Sequence, residues 1–211
     1  FDETYLVEMF GKFADYLELE KFSIAGNSMG GYVAARYAAE NPGRVEKLIL
    51  LDPMGYPQEK PWVFTLGTKP VLKTLSRFMQ PPFLVTMNLE QVYGDTGRLS
   101  KANHERYIHL SQRPGAKAAY IKAMHFLAHD QVDEGAPPPS MPFASIRAPT
   151  LLLWGEEDQW VPITLAERWK ADVGRLQFIS YPGVGHVPME ELPYQTAQDA
   201  MAFLSDLNPE N

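Results

Sequence analysis

Phe22-Ser23-Ile24-Ala25-Gly26-Asn27-Ser28-Met29-Gly30-Gly31 decides how this chain is read. Phe22–Ala25 is a short apolar strand that ends at Gly26. A helix with one small-residue side (Gly31, Ala34, Ala35, Ala38) follows from Gly30 to Glu40, and Asn41-Pro42-Gly43 stops it. The residues between strand and helix follow the pattern G-x-S-x-G. So tight a turn crowds backbone against backbone, and small residues at Gly26 and Gly30 relieve the collision. Ser28 then stands at the carboxyl end of a strand. The N–H of Met29 begins the helix, where no intrahelical acceptor serves it and the helix dipole favours negative charge. Such an N–H suits the oxyanion of a tetrahedral intermediate. Glycine and serine are common, so it is the strand before and the helix after that give the pattern its meaning.

Outward from this turn, helix and strand alternate. Apolar and aromatic residues at Phe1, Tyr5, Met9, Phe13, Tyr16 and Leu17 recur at helical spacing, predicting a helix over Glu3–Leu17. Val45–Leu51 is a buried-type strand closed by Asp52-Pro53. Thr150–Trp154 and Leu176–Tyr181 are two more, with a helix over Ile163–Val173 between them and an amphipathic helix over Tyr194–Leu207 at the end. Strands that are continuous apolar runs separated by helices imply a parallel sheet covered on both faces. Gly55–Arg147 breaks the alternation. Twelve of the 18 prolines lie from Pro53 to Pro149, and helices are expected near Pro70–Met79, Leu99–Gln112 and Ala116–Ala128, with a proline-rich linker at Gly135–Pro142. The chain therefore divides into core segments 1–56 and 148–211 around a helical insertion, 57–147.

A serine hydroxyl needs a base to take its proton, and the base needs a carboxylate to hold it. Of the five histidines, His104, His109, His125 and His129 lie in the insertion. His186 alone follows the last strand, in Pro182-Gly183-Val184-Gly185-His186-Val187-Pro188, where glycines and prolines shape an exposed-tip loop. Asp158 follows the strand Thr150–Trp154, and Asp52 ends the strand before it. Both stand at carboxyl ends of strands, where open α/β sheets gather their sites. Asp158 is the first choice of acid and Asp52 the second. Glu156 and Glu157 are read as solvated neighbours, and Glu190 and Glu191 as surface charges at a helix start. Val161 and Val187, beside acid and base, are the expected substrate-lining residues.

The net charge of −7 argues against nucleic acid and anionic membrane as partners, and no apolar run is long enough to span a bilayer. The absence of cysteine excludes disulfides, thiolate metal sites and a cysteine nucleophile, and fits the cytoplasm. His125 and His129 are spaced i, i+4, but no third ligand stands near, so neither a metal nor another cofactor is expected. Trp62, Phe64, Phe78, Met79, Phe83 and Met87 make the first half of the insertion apolar, either as packing against the core or as the wall of an acyl pocket.

Three stretches together resemble the α/β-hydrolase superfamily in its cap-bearing, esterase-like branch: Gly26–Gly31 the nucleophile elbow, Trp154–Pro162 the acid loop, and Gly183–Glu190 the histidine loop. The resemblance implies a Ser28-His186-Asp158 triad with Met29 N–H in the oxyanion hole. It implies a small-molecule ester as substrate and the insertion as a helical cap. The string Asn27-Ser28-Met29-Gly30-Gly31 also resembles hydrolases that cleave C–C bonds of ring-fission products. The family carries about four strands before the first helix of this chain, and a His-Gly-type loop that supplies a second oxyanion N–H; neither is matched here. From this, and from the chain opening at Phe1 inside a helical pattern, a truncated hydrolase lacking its N-terminal strands is expected. Weak or absent catalysis would follow. Phe22–Ala25 would become an exposed edge, so self-association or capture of a separate N-terminal segment is also expected.

Overall fold

The computed structural model describes residues 3–58, 82–120, 122 and 142–205. Helix α1 (Glu3–Tyr16) leads into β1 (Phe22–Asn27), α2 (Met29–Glu40) and β2 (Val45–Leu51). Two helices of the insertion follow, α3 (Pro82–Val92) and α4 (Lys101–Ser111). The chain then returns to β3 (Thr150–Gly155), α5 (Ala166–Asp172), β4 (Leu176–Tyr181), the single turn α6 (Pro188–Glu191) and α7 (Pro193–Ser205). The helices expected near Pro70–Met79 and beyond Tyr120, the linker, and His125 and His129 lie outside the described residues.

The four strands form one parallel sheet in the order β1-β2-β3-β4. Leu48–Leu51 pair with Thr150–Leu153, and Thr150–Gly155 with Leu176–Tyr181. Side chains of successive strand residues point to opposite faces. Leu48, Leu50, Leu152 and Trp154 accordingly pack on one side with Tyr32, Ala35, Ala38 and Trp169. Ile49, Leu51, Leu151 and Leu153 pack on the other with Tyr181, Val184 and Phe203. With both faces covered, both sets are apolar, which explains the runs Leu48–Leu51 and Leu151–Trp154.

The expectation that the N-terminal strands are absent is corrected here. Phe22–Asn27 forms β1 and has its parallel partner in β2, with Ile24, Ala25, Gly26 and Asn27 opposite Leu48, Ile49, Leu50 and Leu51. Val7 of α1 and Phe22 of β1 join the same core as α2, where Phe10, Phe22 and Tyr37 meet ring to ring at 4.9–5.9 Å. β1 is the end strand of the sheet among the described residues, and nothing in the structure supports self-association or a separate segment at Phe22–Ala25.

Because all strands run the same way, their carboxyl ends lie along one edge. Ser28 follows β1, Asp52 follows β2, Asp158 follows β3 and His186 follows β4. No helix among the described residues is long and apolar enough to cross a membrane.

Candidate active site

Ser28 sits between β1 and α2 with φ 55° and ψ −121°, a left-handed backbone that L residues rarely adopt. Neighbouring chain holds it there. Ser28 N donates to Leu51 O (3.0 Å), and Ser28 O accepts from Tyr32 N and Met54 N (both 3.1 Å). A Cβ on Gly26 would lie 2.3 Å from Gly30 O, so only glycine fits there. The expectation for Gly30 is different in the structure: a Cβ there meets nothing within 4 Å, whereas one on Gly31 would meet Pro53 Cβ at 2.9 Å. The crowded partner of Gly26 is thus Gly31, against the turn that follows β2. Met29 is the first residue of α2, so its N–H is among those the helix leaves without an internal acceptor.

His186 and Asp158 meet although they come from different loops. His186 Nδ1 lies 2.7 Å from Asp158 Oδ2, and both side chains are buried. The other carboxylate oxygen, Oδ1, accepts from Trp160 N (2.7 Å) and Val161 N (2.9 Å). Asp158 therefore has both oxygens engaged, and its orientation toward His186 is set by its own loop. The indole of Trp160 lies beside the imidazole, ring centroids 5.8 Å apart.

Asn27 links this pair to the elbow. Its Nδ2 donates to Leu51 O (3.1 Å) and to His186 O (3.0 Å). The residue before the serine thus holds the backbone of the histidine, across 159 positions of sequence. Sequence reading had no signal for this beyond the presence of an amide side chain inside the motif.

Asp52, the second-choice acid, is wholly buried beside the pair. One ligand-type atom of each of Asp52, Asp158 and His186 lies within 4.8 Å of the other two. Asp52 Oδ1 accepts from Gly155 N (2.8 Å), while Oδ2 has no hydrogen-bond partner among the described residues. Burial, and then the charge of Asp158, push the Asp52 carboxyl well above the usual carboxylate range; the Gly155 N–H opposes this. Two adjacent carboxyls in a dry site resist ionising together, and this favours the protonated form of Asp52. A cation shared by these three groups would have to break the direct His186–Asp158 contact, so the arrangement suits proton handling better than metal binding.

Val161 and Val187 are both buried. Val161 packs in the main core, with its carbonyl accepting from Trp154 Nε1 (3.0 Å). Val187 packs with Leu89, Val92 and Tyr93 of the insertion. Phe83 and Met87 of α3 are exposed. His104 Nε2 lies 2.8 Å from Thr86 Oγ1 of α3. The expectation for the two glutamates after the histidine is corrected: Glu191 is buried and Glu190 is largely so. Both receive several donors from the insertion.

Residues 3–200 match the alpha/beta hydrolase family. The chain belongs to that family. The match runs nearly from end to end of this chain, β1 included, and where the chain starts carries no conclusion. Among curated relatives, this hydrolase-family chain is 28% identical over 197 residues to Lipase 3 of Moraxella sp. (strain TA144), covering 87% of this chain and 56% of that one. It is 27% identical over 175 residues to the 2-hydroxy-6-oxononadienedioate/2-hydroxy-6-oxononatrienedioate hydrolase of Cupriavidus pinatubonensis (strain JMP 134 / LMG 1197), covering 82% and 58%. It spans a little over half the length of these relatives. Among solved structures, the meta-cleavage product hydrolase from Pseudomonas fluorescens IP01 superposes with a TM-score of 0.78 at 20% identity, covering 99% of this chain and 73% of that one, a likeness of fold.

Proposed function

We propose that this chain is a serine hydrolase in which Ser28 attacks a carbonyl carbon, His186 moves the proton and Asp158 holds His186. The observation that carries this reading is the buried 2.7 Å contact between His186 Nδ1 and Asp158 Oδ2, on the same sheet edge as the strained Ser28. A carboxylate on Nδ1 fixes the tautomer that leaves Nε2 to accept the serine proton, and it stabilises the imidazolium that forms. The Met29 N–H is one oxyanion donor in this scheme. Val161 and Val187 shape the walls beside acid and base. Residues 1–56 and 148–211 make the core and 57–147 the cap.

For the bond cleaved, a C–C bond in a ring-fission product stands ahead of a carboxylic ester. Its support is the dienoate hydrolase relative together with the Asn27–Gly31 string. A vinylogous diketone gives the same triad an activated carbonyl and a leaving carbon stabilised as an enolate. The lipase relative favours the ester as second reading, with an acyl-enzyme that water hydrolyses. The test is turnover of ring-fission dienoates against p-nitrophenyl esters, with fluorophosphonate labelling of wild type and Ser28→Ala. Faster dienoate turnover and labelling lost in Ser28→Ala are expected. Turnover retained by Ser28→Ala would remove the serine from the mechanism, and ester turnover alone would leave only the second reading.

A further inference from the structure

Two adjacent carboxylates after the histidine loop take donors from the insertion. The Glu191 side chain has no solvent exposure. Its Oε1 accepts from Gly185 N (2.6 Å) and Gly94 N (2.9 Å), and its Oε2 from Asp95 N (3.1 Å), with Arg98 Nη1 at 3.4 Å. Gly185 is the residue before His186, whereas Gly94 and Asp95 end the turn after α3. One buried carboxylate therefore closes on the histidine loop and on the insertion at once. The same strip carries a second tie, His186 N donating to Val92 O at 2.7 Å, and a third, Arg98 Nη1 donating to Gly183 O at 2.9 Å. A Cβ on Gly185 would stand 2.4 Å from Val92 O, so the two backbones touch. Glu190 accepts from Tyr93 Oη (2.7 Å), Tyr107 Oη (2.9 Å) and Arg106 Nη2 (2.6 Å), fastening the residue after α3, and α4, to α6.

We propose that Glu191 is a positioning residue that makes the seating of segment 92–95 and the alignment of His186 a single event. The inference rests on the triad reading for its catalytic consequence. Glu191 accepts from the N–H groups of Gly94, Asp95 and Gly185 alike; the Gly185 bond is buried, where its N–H needs an acceptor, and the other two are part-buried. If segment 92–95 lifts away, Glu191 loses two of its backbone donors and His186 N loses Val92 O. The histidine loop is then held only from the core side. The base is therefore in register with Ser28 when the cap is down, and the cap is tied directly to the chemistry it covers.

The test compares wild type, Glu191→Gln and Arg98→Met by kcat and KM, by rate of fluorophosphonate labelling, by the downfield proton signal of the His186 Nδ1–H, and by thermal melting. Glu191→Gln keeps one carbonyl oxygen for Gly94 and Gly185 but turns an NH2 toward Asp95 N and Arg98. It should melt cooperatively, lose kcat by about 10²-fold with KM within about threefold, and broaden or shift the Nδ1–H signal. Arg98→Met, which removes the ties to Glu191 and Gly183 without touching a triad side chain, should lower kcat by about threefold with a smaller shift of the same signal. It decides the question if Glu191→Gln does not fold. An unmoved His186 signal with wild-type kcat in whichever variant folds would overturn the proposal. Failure of wild type to label at all would instead count against the serine-hydrolase reading, and the His186 signal would still report on Glu191.

Discussion

Asp158 presents its two carboxylate oxygens to different partners: Oδ2 to His186 Nδ1 at 2.7 Å, and Oδ1 to the backbone N–H groups of Trp160 and Val161. The acid is pre-oriented by its own loop before it meets the histidine. Asp158→Asn keeps the shape but puts an amide where the charge was, and it permits the wrong tautomer. We expect kcat to fall by about 10²–10⁴-fold with little change in far-UV circular dichroism. Asp52→Asn, measured alongside, should stay within about tenfold of wild type. The reverse ranking would make Asp52 the acid.

Asp52→Asn should also change stability in a pH-dependent way. The folded-state pKa of Asp52 is raised above its unfolded value, first by burial and then by the charge of Asp158. The protonated form is favoured in the fold. Its contribution is fully present below the unfolded pKa of roughly 3.9 and is lost progressively as pH rises toward the raised folded pKa. Asparagine offers a similar shape without this loss, with a carbonyl for Gly155 N and an NH2 toward Asp158. The variant should gain Tm relative to wild type on going from pH 4 to pH 8. An equal Tm difference at both pH values would mean that Asp52 is not held protonated.

The two glycines of the elbow motif should behave differently. Gly26→Ala puts a Cβ 2.3 Å from Gly30 O, a backbone atom that cannot swing aside. It should cost about 1–3 kcal/mol in urea unfolding and most of the activity. Gly30→Ala meets nothing within 4 Å and lies in α2. It should leave stability unchanged or raise it by about 0.5–1 kcal/mol, as alanine usually does in a helix. Equal damage from both would place the crowding elsewhere.

Asn27→Ala removes the two bonds from Nδ2, to Leu51 O and His186 O. The His186 carbonyl loses its tie to the elbow while the Asp158 contact remains. We expect kcat to fall by about tenfold, a small change in Tm, and labelling of Ser28 slowed to a similar degree. A wild-type labelling rate would show that the histidine loop needs no support from this side.

The sequence by itself determined the α/β alternation, the four strands and the three loops at their carboxyl ends. Apolar runs such as Leu48–Leu51 and Leu151–Trp154 can be read because a sheet covered on both faces favours apolar residues on both, so the pattern is local to each strand. Ser28, Asp158 and His186 could be picked out as candidates for a similar reason: each stands at a strand end next to small or rigid residues. What sequence reading put on the surface, and only the tertiary structure brought inside, was Glu191. Besides Gly185, its donors are Gly94, Asp95 and Arg98, whose separations from it are 97, 96 and 93 positions, and a carboxylate after a histidine loop carries no local sign of them. The separation of Asp52 from Asp158 was hidden in the same way. Both are aspartates at strand ends, and only the fold gives Asp158 two N–H groups and His186 while leaving Asp52 with Gly155 N. Strand order and register, which bring those groups together, are properties of the packed sheet and not of any single stretch of chain.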